Sequence, residues 1–372
     1  MKVLHVDTGK GWRGGQQQVL WLMEGLRRRG IEQALMAPAG SPLAERMRAR
    51  GFAVTELNPR TISLGNTKKL LQGVPQFDLT HAHDSGGHTL AWLAGAGKTM
   101  PSRQPLVVSR RVAFPIRSLG RIKYRAADAY LAVSEYVGGE LRQAGVPPQK
   151  IRVVYDGVEA PAAPPDAARR AEFRRRHGVS DADFLIGTLT ALAPEKCLHT
   201  TVDLLAALPP TTRFWVGRAA ADAGESGAET ALRAYAAERG VSERFRLLFL
   251  PPEGTEFVDF LDALDLFLYL SQAEGLGSAI LLAMAHELPV VASHVGGIPE
   301  IVRHGQTGLL TENTAADLQQ KVESLRNAPE MRQRLAAAGR AFVLAHATSD
   351  IMTAKTEAIY RELLQGSGHD TE

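Results

Sequence analysis

Residues 271–300, SQAEGLGSAILLAMAHELPVVASHVGGIPE, contain two strand–glycine–helix units in tandem. An apolar run at 264–270 predicts a buried strand, and the turn 274–277 that follows it carries two glycines before an apolar helix. A second apolar strand leads to the pair Gly296-Gly297 and to another helix start. Each unit would aim backbone N–H groups and a helix N-terminus at one crevice. Such a crevice suits a phosphate or an electron-rich sugar.

The rest of the chain continues this alternation of apolar strands and amphipathic helices. The pattern predicts an α/β fold in which doubly wound parallel sheets are covered by helices on both faces. The Pro- and Ala-rich stretch 156–166 predicts a linker, so we expect one domain at 1–158 and a second at 159–349. Two such domains leave a cleft between them, which is the usual place for a ligand.

Composition places the chain among globular proteins with real cores. It has 372 residues, of which 45% are hydrophobic and 22% are charged. Cys197 is the only cysteine, so no intrachain disulfide can form and a reducing, cytoplasmic location is expected. Residues 1–8 predict a strand rather than a signal peptide, and no apolar run approaches the length of a membrane span.

Charge is distributed unevenly along the chain. Residues 1–158 carry 23 basic and 11 acidic residues, a net charge of +12, while the remainder carries −9. The segment 103–125 holds seven basic residues, no acid and several interleaved apolar side chains, and residues 117–126 predict a helix. This pattern is typical of a surface that lies on an anionic membrane, and equally of a solvated helix packed through its apolar side. Nucleic acid is disfavoured because no nucleic-acid-binding module is present.

Two polar groups follow predicted strands in the first half. His81, His83 and Asp84 end one strand, and Arg110 and Arg111 end another. The histidine spacing resembles a metal site, but we expect no further Cys or His nearby to complete one. We therefore predict no metal and assign His81 and His83 to acceptor contacts or strand-end hydrogen bonds. The two arginines are placed to face an anion in the cleft.

Glycines also follow the first strand of the chain. Gly14 and Gly15 precede a helix and allow a ligand to approach the backbone closely, although a pair of glycines is more often only a tight turn. The pattern lacks the complete GxGxxG of a dinucleotide site, which disfavours a dehydrogenase. Lys196 follows the first strand of the second half and could meet a phosphate as a point charge. Glu274 is the one acid inside the glycine turn and could accept hydrogen bonds from sugar hydroxyls.

In this order the motifs resemble those of the family 4 glycosyltransferases, over nearly the whole chain. The matching pieces are GG (14–15), HAH (81–83), AVS (132–134), DGVE (156–159), ALAPEK (191–196), AEGLG (273–277), ELPVVAS (287–293) and GGIPEIV (296–302). The resemblance implies the GT-B fold, in which two Rossmann-like domains face a central cleft. It also implies transfer from a nucleotide-sugar donor with retention of configuration, no required metal, and a final helix, at about 350–372, that returns to the first domain.

Carried over by position, Lys196 would face the donor diphosphate and Glu274 would bind hydroxyls of the donor sugar. Backbone N–H groups of Gly275, Leu276 and Gly277 would lie nearby. The resemblance further places Gly14 and Gly15 against the phosphates, and His81, His83, Arg110 and Arg111 on the acceptor side, where Arg111 would assist the leaving phosphate or bind an anionic acceptor.

Three positions depart from the family pattern. Leu282 replaces a glutamate that often binds the nucleotide ribose, and Ala191 replaces an arginine that often pairs with the phosphate-facing lysine. Arg110 and Arg111 stand where many members carry a histidine. The departures leave open a catalytically impaired nucleotide-sugar-binding protein, while a nucleotide-sugar epimerase would need further acids and a histidine in the cleft.

The function expected from the resemblance is that of a hexosyltransferase. It would use a UDP-, GDP- or ADP-sugar and act on a glycan or lipid-linked acceptor in cell-envelope biosynthesis of the lipopolysaccharide or exopolysaccharide type. The location would be cytoplasmic, at the inner face of the plasma membrane if the basic half binds anionic lipid.

Overall fold

The chain folds into two compact units. Unit 1 comprises Met1–Gly157 and Ser349–Glu372, and unit 2 comprises Val158–Thr348. The computed structural model describes residues 1–366 apart from 59, 61, 96–103, 117, 163–165, 219–224 and 251–254. Arg103, Arg117 and the last six residues of the predicted C-terminal helix therefore lie outside the described residues.

Seven parallel strands, in the described part of unit 1, form its sheet in the order β3-β2-β1-β4-β5-β6-β7. They are β1 (Lys2–Val6), β2 (Glu32–Pro38), β3 (Ala53–Leu57), β4 (Leu79–Ala82), β5 (Leu106–Arg110), β6 (Ala129–Ala132) and β7 (Ile151–Val153). Strands β4, β5 and β6 are buried along their whole length, as expected of a parallel sheet covered on both faces. The strand order changes direction between β1 and β4, so the carboxyl ends of these two strands flank the usual ligand crevice.

Six parallel strands, in the described part of unit 2, form a second sheet in the order β10-β9-β8-β11-β12-β13. They are β8 (Phe184–Leu189), β9 (Thr212–Arg218), β10 (Phe245–Phe249), β11 (Leu266–Tyr269), β12 (Val290–Ser293) and β13 (Leu309–Thr311). The change of direction falls between β8 and β11. The loops that follow these two strands carry Lys196 and Glu274, so the topology brings the two predicted donor-site residues to one edge of the sheet.

Helices cover the faces of each sheet. The first five, α1 (Gly14–Arg28), α2 (Pro42–Ala49), α3 (Leu64–Gly73), α4 (Ser85–Leu93) and α5 (Glu135–Gln143), belong to unit 1. Unit 2 contains α6 (Ala167–Arg176), α7 (Leu198–Ala207), α8 (Glu225–Glu238), α9 (Thr255–Ala263), α10 (Ser278–Ala285), α11 (Ile298–Ile301), α12 (Ala315–Asn327) and α13 (Pro329–His346). The last helix, α14 (Ser349–Gly366), returns to unit 1.

Helix α14 packs on α1 at very short range. A Cβ atom added to Gly25 of α1 would overlap the Thr353 side chain, so glycine is what permits this approach. Tyr360 of α14 is fully buried, and its hydroxyl lies 2.5 Å from Nδ1 of His81 on β4. The C-terminal helix is thereby connected directly to the strand that carries the histidine motif.

The basic segment differs from its predicted form. An α-helix was expected at 117–126, but the structure has a 3-10 helix over Ser118–Arg125. The segment 103–125 contains no acid that could favour the N-terminus of an α-helix there. No helix among the described residues is both long enough and apolar enough to span a bilayer.

Candidate active site

The donor-site residues predicted in unit 2 lie in contact. Lys196 ends a 3-10 turn that follows β8, and Glu274 lies in the glycine turn that follows β11. The Lys196 ammonium nitrogen is 2.6 Å from Oε2 of Glu274. Both side chains are largely buried, with 16% and 19% of their surfaces exposed. A cation suited to phosphate and an acceptor suited to hydroxyl groups therefore meet at the switch point of the sheet.

Tyr269, the last residue of β11, completes this contact and was not singled out from the sequence. Its hydroxyl lies 2.8 Å from Oε2 of Glu274 and 3.1 Å from the Lys196 nitrogen. Burial, together with the Glu274 carboxylate, raises the pKa of Tyr269 well above its usual value, so the hydroxyl is a firm proton donor. A polar-tipped residue at the carboxyl end of the strand LFLY is the signal that could have revealed it.

The two glycine turns of the opening stretch touch each other. Gly277 has a φ of +96° and directly precedes α10, a conformation that favours glycine. Gly296 has a φ of +56°, and a Cβ atom there would overlap the Glu274 carbonyl oxygen. The same carbonyl accepts a hydrogen bond of 3.2 Å from the backbone N–H of Gly297. The second turn therefore fixes the backbone from which the Glu274 side chain projects.

Other predicted donor-site positions surround this pair. Gly275 and Leu276 are buried within the turn, and the half-exposed Ser278 begins α10. Leu282, where a ribose-binding glutamate is often found, is half-buried on α10 and offers no polar atom. Ala191 is exposed just after β8, so it adds no second cation beside Lys196.

The glycine-containing loop 8–13 of unit 1 is fixed by hydrogen bonds to the Asp7 carboxylate. Asp7, directly after β1, accepts hydrogen bonds from the N–H of Gly9 at 2.9 Å and from the Gln16 amide at 3.2 Å. Burial, with the neighbouring Asp84, raises the pKa of Asp7 to about 6. Helix α1 begins at Gly14, and a Cβ atom placed on Gly15 would meet nothing within 4 Å. Within unit 1, the space beside the start of α1 is therefore open, as the close approach of a ligand would require.

The histidine motif forms part of a cluster of three imidazoles. The expectation that no third histidine accompanies His81 and His83 is wrong, because β1 pairs with β4 and places His5 beside His81. Nδ1 of His5 lies 2.8 Å from Nε2 of His83, and Nε2 of His81 lies 2.8 Å from the Ser109 hydroxyl. A single histidine in an apolar strand looks like a core residue, and only the strand order reveals its neighbours.

Burial keeps these imidazoles uncharged. It lowers the pKa of His5 to about 3, and it lowers the pKa values of His81 and His83 well below their usual range. The Gln33 amide nitrogen donates to backbone carbonyls, so its oxygen faces Nε2 of His5 at 3.1 Å and requires a proton there. Nδ1 of His5 then accepts from His83, whose own Nδ1 has no partner among the described residues.

One nitrogen from each of His5, His81 and His83 lies within 4.8 Å of the others, a spacing compatible with a metal ion. A metal ion would have to displace one hydrogen bond of His5, to Gln33 or His83, and one of His81, to Ser109 or Tyr360. We therefore interpret the cluster as a hydrogen-bond network.

The two arginines at the end of β5, Arg110 within it and Arg111 after it, have different environments. Arg110 is buried, and its guanidinium donates to the Tyr124 hydroxyl at 2.7 Å and to the Phe114 carbonyl. Arg111 lies 3.0 Å from the Asp156 carboxylate and also contacts the His83 carbonyl. Arg111 therefore lies beside the histidine cluster, while Arg110 supports the segment that follows it.

Comparison with known proteins agrees with this architecture. The model of "Glycosyltransferase Family 4" matches residues 12–160, and that of "Glycosyl transferases group 1" matches residues 169–342. The GDP-mannose-dependent alpha-(1-6)-phosphatidylinositol monomannoside mannosyltransferase of Mycobacterium tuberculosis is 30% identical over 274 residues, 71% of this chain and 70% of its own length. The D-inositol 3-phosphate glycosyltransferase of Streptomyces scabiei is 29% identical over 309 residues, 76% of this chain and 68% of its own length.

The fold has close structural counterparts. The crystal structure of Anabaena Alr3699/HepE in complex with UDP superposes with a TM-score of 0.86 at 21% identity, covering 97% of this chain and 100% of that one. The two parallel sheets of seven and six strands are those of an α/β GT-B protein. The chain thus belongs to glycosyltransferase family 4, the group 1 glycosyl transferases, and is a hexosyltransferase-type enzyme with the GT-B fold.

Proposed function

We propose that the enzyme transfers a hexosyl group, with retention of configuration, from a nucleotide-sugar donor to a glycan or lipid-linked acceptor of the cell envelope. Assembly of a lipopolysaccharide- or exopolysaccharide-type glycan is the pathway we favour. The observation that carries the proposal is the contact between Lys196 and Glu274 at the switch point of the sheet of unit 2. The names of the relatives support a nucleotide-sugar donor, since one uses GDP-mannose and the Anabaena protein was crystallised with UDP.

The donor is proposed to bind with its diphosphate at Lys196 and its sugar at Glu274. Loss of a nucleoside diphosphate leaves negative charge on the departing oxygen. The Lys196 ammonium and the N-terminus of α10 would stabilise that charge, as a divalent metal ion does in metal-dependent transferases. The Glu274 carboxylate accepts hydrogen bonds from sugar hydroxyls, which orients the anomeric carbon.

The acceptor is proposed to bind unit 1, which carries the positive charge of the chain. Arg111 is the candidate for an anionic group of the acceptor or the leaving phosphate, and such a group would compete with Asp156 for the guanidinium. His81 and His83 lie at the carboxyl end of β4, and His83 Nδ1 lacks a partner among the described residues. An acceptor hydroxyl that reached this nitrogen would satisfy it.

Attachment to an anionic membrane surface is the second part of the proposal. Leu64 of α3, Leu93 of α4, Phe114 and Ile122 are exposed large apolar residues of unit 1. They lie on neighbouring elements, because α4 packs against both α3 and the 3-10 helix of the basic segment. Apolar side chains beside basic charge are typical of an interfacial surface. The protein would then work at the inner face of the plasma membrane.

The donor assignment is tested by two variants, Glu274→Gln and Lys196→Met. Wild-type protein is first screened for thermal stabilisation by UDP-, GDP- and ADP-sugars, because a ligand at a hundred times its Kd stabilises the native state by about 2.7 kcal/mol. With the donor so found, each variant should lower kcat/KM for transfer by about a hundredfold or more. Donor hydrolysis without acceptor distinguishes an active enzyme from a protein that only binds nucleotide sugars.

Matched controls are available on the same surface and in the other unit. Glu195→Gln neutralises an exposed acid adjacent to Lys196, and Lys355→Met removes an exposed ammonium from α14. Both should keep transfer within about twofold of wild type. Full transfer by Glu274→Gln and Lys196→Met would overturn the assignment.

A further inference from the structure

Tyr269, Glu274 and Lys196 form a closed triangle of polar atoms. The three sides are 2.6 Å from the Lys196 nitrogen to Oε2 of Glu274, 2.8 Å from that oxygen to the Tyr269 hydroxyl, and 3.1 Å from the hydroxyl to the lysine nitrogen. Each residue comes from a different local element: the end of β11, the glycine turn and the 3-10 turn after β8. Only 6% of Tyr269 is exposed, so these three contacts lie in a largely buried place.

The chemistry of the groups fixes the direction of each hydrogen bond. A carboxylate oxygen only accepts and an ammonium group only donates. Oε2 of Glu274 therefore accepts two hydrogen bonds, one from Lys196 and one from the hydroxyl of Tyr269. The hydroxyl oxygen presents its lone pair to Lys196. All three contacts can therefore form at once, because each has one donor and one acceptor.

The triangle leaves free the atoms that a donor would need. Among the described residues, Oε1 of Glu274 has no hydrogen-bond partner. The Lys196 ammonium has three N–H groups, of which two point to Glu274 and Tyr269. One carboxylate oxygen thus remains for a sugar hydroxyl, and one ammonium hydrogen remains for the first contact with a phosphate.

We propose that Tyr269 is a positioning residue of the donor site, whose hydroxyl holds Oε2 of Glu274 when the donor diphosphate draws Lys196 away from it. This inference rests on the proposed function. Once the ammonium turns to the diphosphate, the carboxylate would lose a charge-assisted hydrogen bond in a buried place. The Tyr269 hydroxyl remains as its donor, so Oε1 keeps its direction toward the sugar.

The Tyr269→Phe variant removes the hydroxyl and keeps the ring, which stacks on Phe267 and lies under the Lys196 ammonium. We expect kcat/KM for the nucleotide sugar to fall by about ten- to a hundredfold, the usual effect of losing a hydrogen bond to a charged group. Affinity for the free nucleoside diphosphate should stay within about threefold, because that ligand lacks the sugar that Glu274 orients. A role in packing alone would instead lower the melting temperature and weaken both ligands alike.

Two further variants complete the test. Tyr235→Phe removes a hydroxyl that lies 2.8 Å from the Asp203 carboxylate, elsewhere in unit 2, and should leave transfer unchanged. In a Glu274→Gln background, Tyr269→Phe should cost less than about threefold, because the charged partner is gone.

The possible outcomes separate the inference from the proposed function. Active wild-type enzyme with a Tyr269→Phe variant within twofold of it would overturn the positioning role alone. An equal loss of affinity for nucleoside diphosphate and nucleotide sugar would overturn it as well. Wild-type protein that neither binds nor turns over any nucleotide sugar would overturn the proposed function, and the role of Tyr269 with it.

Discussion

Glu274 depends on its backbone as much as on its carboxylate. Its carbonyl oxygen accepts from the N–H of Gly297, and the α-carbon of Gly296 lies so close that no side chain fits between them. The left-handed φ of Gly296, +56°, adds a second requirement for glycine. Glu274 and Gly296 belong to different glycine turns in the sequence, but the structure makes the conformation of one depend on the other.

The Gly296→Ala variant should separate the two glycine turns. We expect it to lower the free energy of unfolding by about 2–4 kcal/mol, because overpacking adds to the cost of a left-handed alanine. Affinity for the nucleotide sugar should fall more than tenfold as the Glu274 turn is displaced. Urea unfolding and thermal-shift titration measure the two effects.

Gly305→Ala is the control for the cost of a left-handed alanine alone, without overlap of the Cβ atom with a neighbour. Gly305 has a φ of +74°, but a Cβ atom there would meet nothing within 4 Å. It should cost only about 1–2 kcal/mol and leave donor affinity unchanged. Equal stability losses and unchanged affinity in both variants would show that the contact with Glu274 has no role.

The sequence predicted the donor-side residues better than their supports. Lys196 stands out because it follows the first strand of the second half, and Glu274 because it is the one acid inside a glycine turn; the structure brings them together. Tyr269 and His5 were missed because each lies in an apolar strand, where a polar-tipped side chain resembles any buried residue. The histidines beside His5 lie on or directly after another strand, so only the strand order could identify them, whereas Tyr269 contacts the turn that follows its own strand.

At the scale of elements, the strand and helix alternation was predictable and the basic segment was not. Periodic apolar positions predict strands and helices in order, because burial imposes those periods. Around Ser118–Arg125 the structure has a 3-10 helix, in which Tyr124 is buried and Ile122 is exposed. Lys123 there donates to Ser85 and Thr89 of α4, so part of the predicted basic surface holds the segment in place.

The exposed part of that segment gives a prediction for membrane binding. Phe114 is 67% exposed, and we expect Phe114→Ser to weaken co-sedimentation with vesicles of phosphatidylcholine and phosphatidylglycerol by about tenfold, the value of one inserted aromatic side chain. High salt should weaken wild-type binding too, since the basic residues contribute through charge. Pure phosphatidylcholine vesicles should retain little protein.

Phe249→Ser is the matched control for lost apolar surface. Phe249 is 52% exposed but belongs to β10 of unit 2, away from the basic segment. Its variant should bind the anionic vesicles like wild type. Equal losses in the two variants, or wild-type protein that stays in the supernatant, would refute the membrane surface.

At the scale of the whole molecule, uncharged buried histidines are concentrated in unit 1. Burial lowers the pKa of His88 to about 3, as it does for His5, and keeps His81 and His83 neutral as well. In the unfolded chain each imidazole has a pKa near 6.5, within about one unit. Between roughly pH 3 and 6.5 the unfolded chain therefore binds up to four more protons at these sites than the folded chain does. Stability from this source is complete above that window and is lost as the pH falls through it.

Asp7 acts in the opposite direction but with one proton. Its folded pKa of about 6 lies above the ordinary value of 3.8, so between these values the folded state holds the extra proton. This contribution favours the folded state as the pH falls. Four histidines against one carboxyl leave a net uptake of about three protons on unfolding near pH 5, so acid should destabilise unit 1.

Hydrogen exchange measured peptide by peptide should show the acid destabilisation of unit 1. After correction for intrinsic rates, protection of β1 and β4 should fall between pH 7.5 and 5.5, by up to about 1.4 kcal/mol per pH unit for each imidazole that is charged only when unfolded. A His5→Gln variant should reduce the slope by about one proton. The exposed His294 lies in unit 2, so His294→Gln should leave the slope for unit 1 unchanged. Protection of β1 and β4 that is flat across this range would mean that the buried imidazoles accept protons in the folded state, and would refute their neutrality.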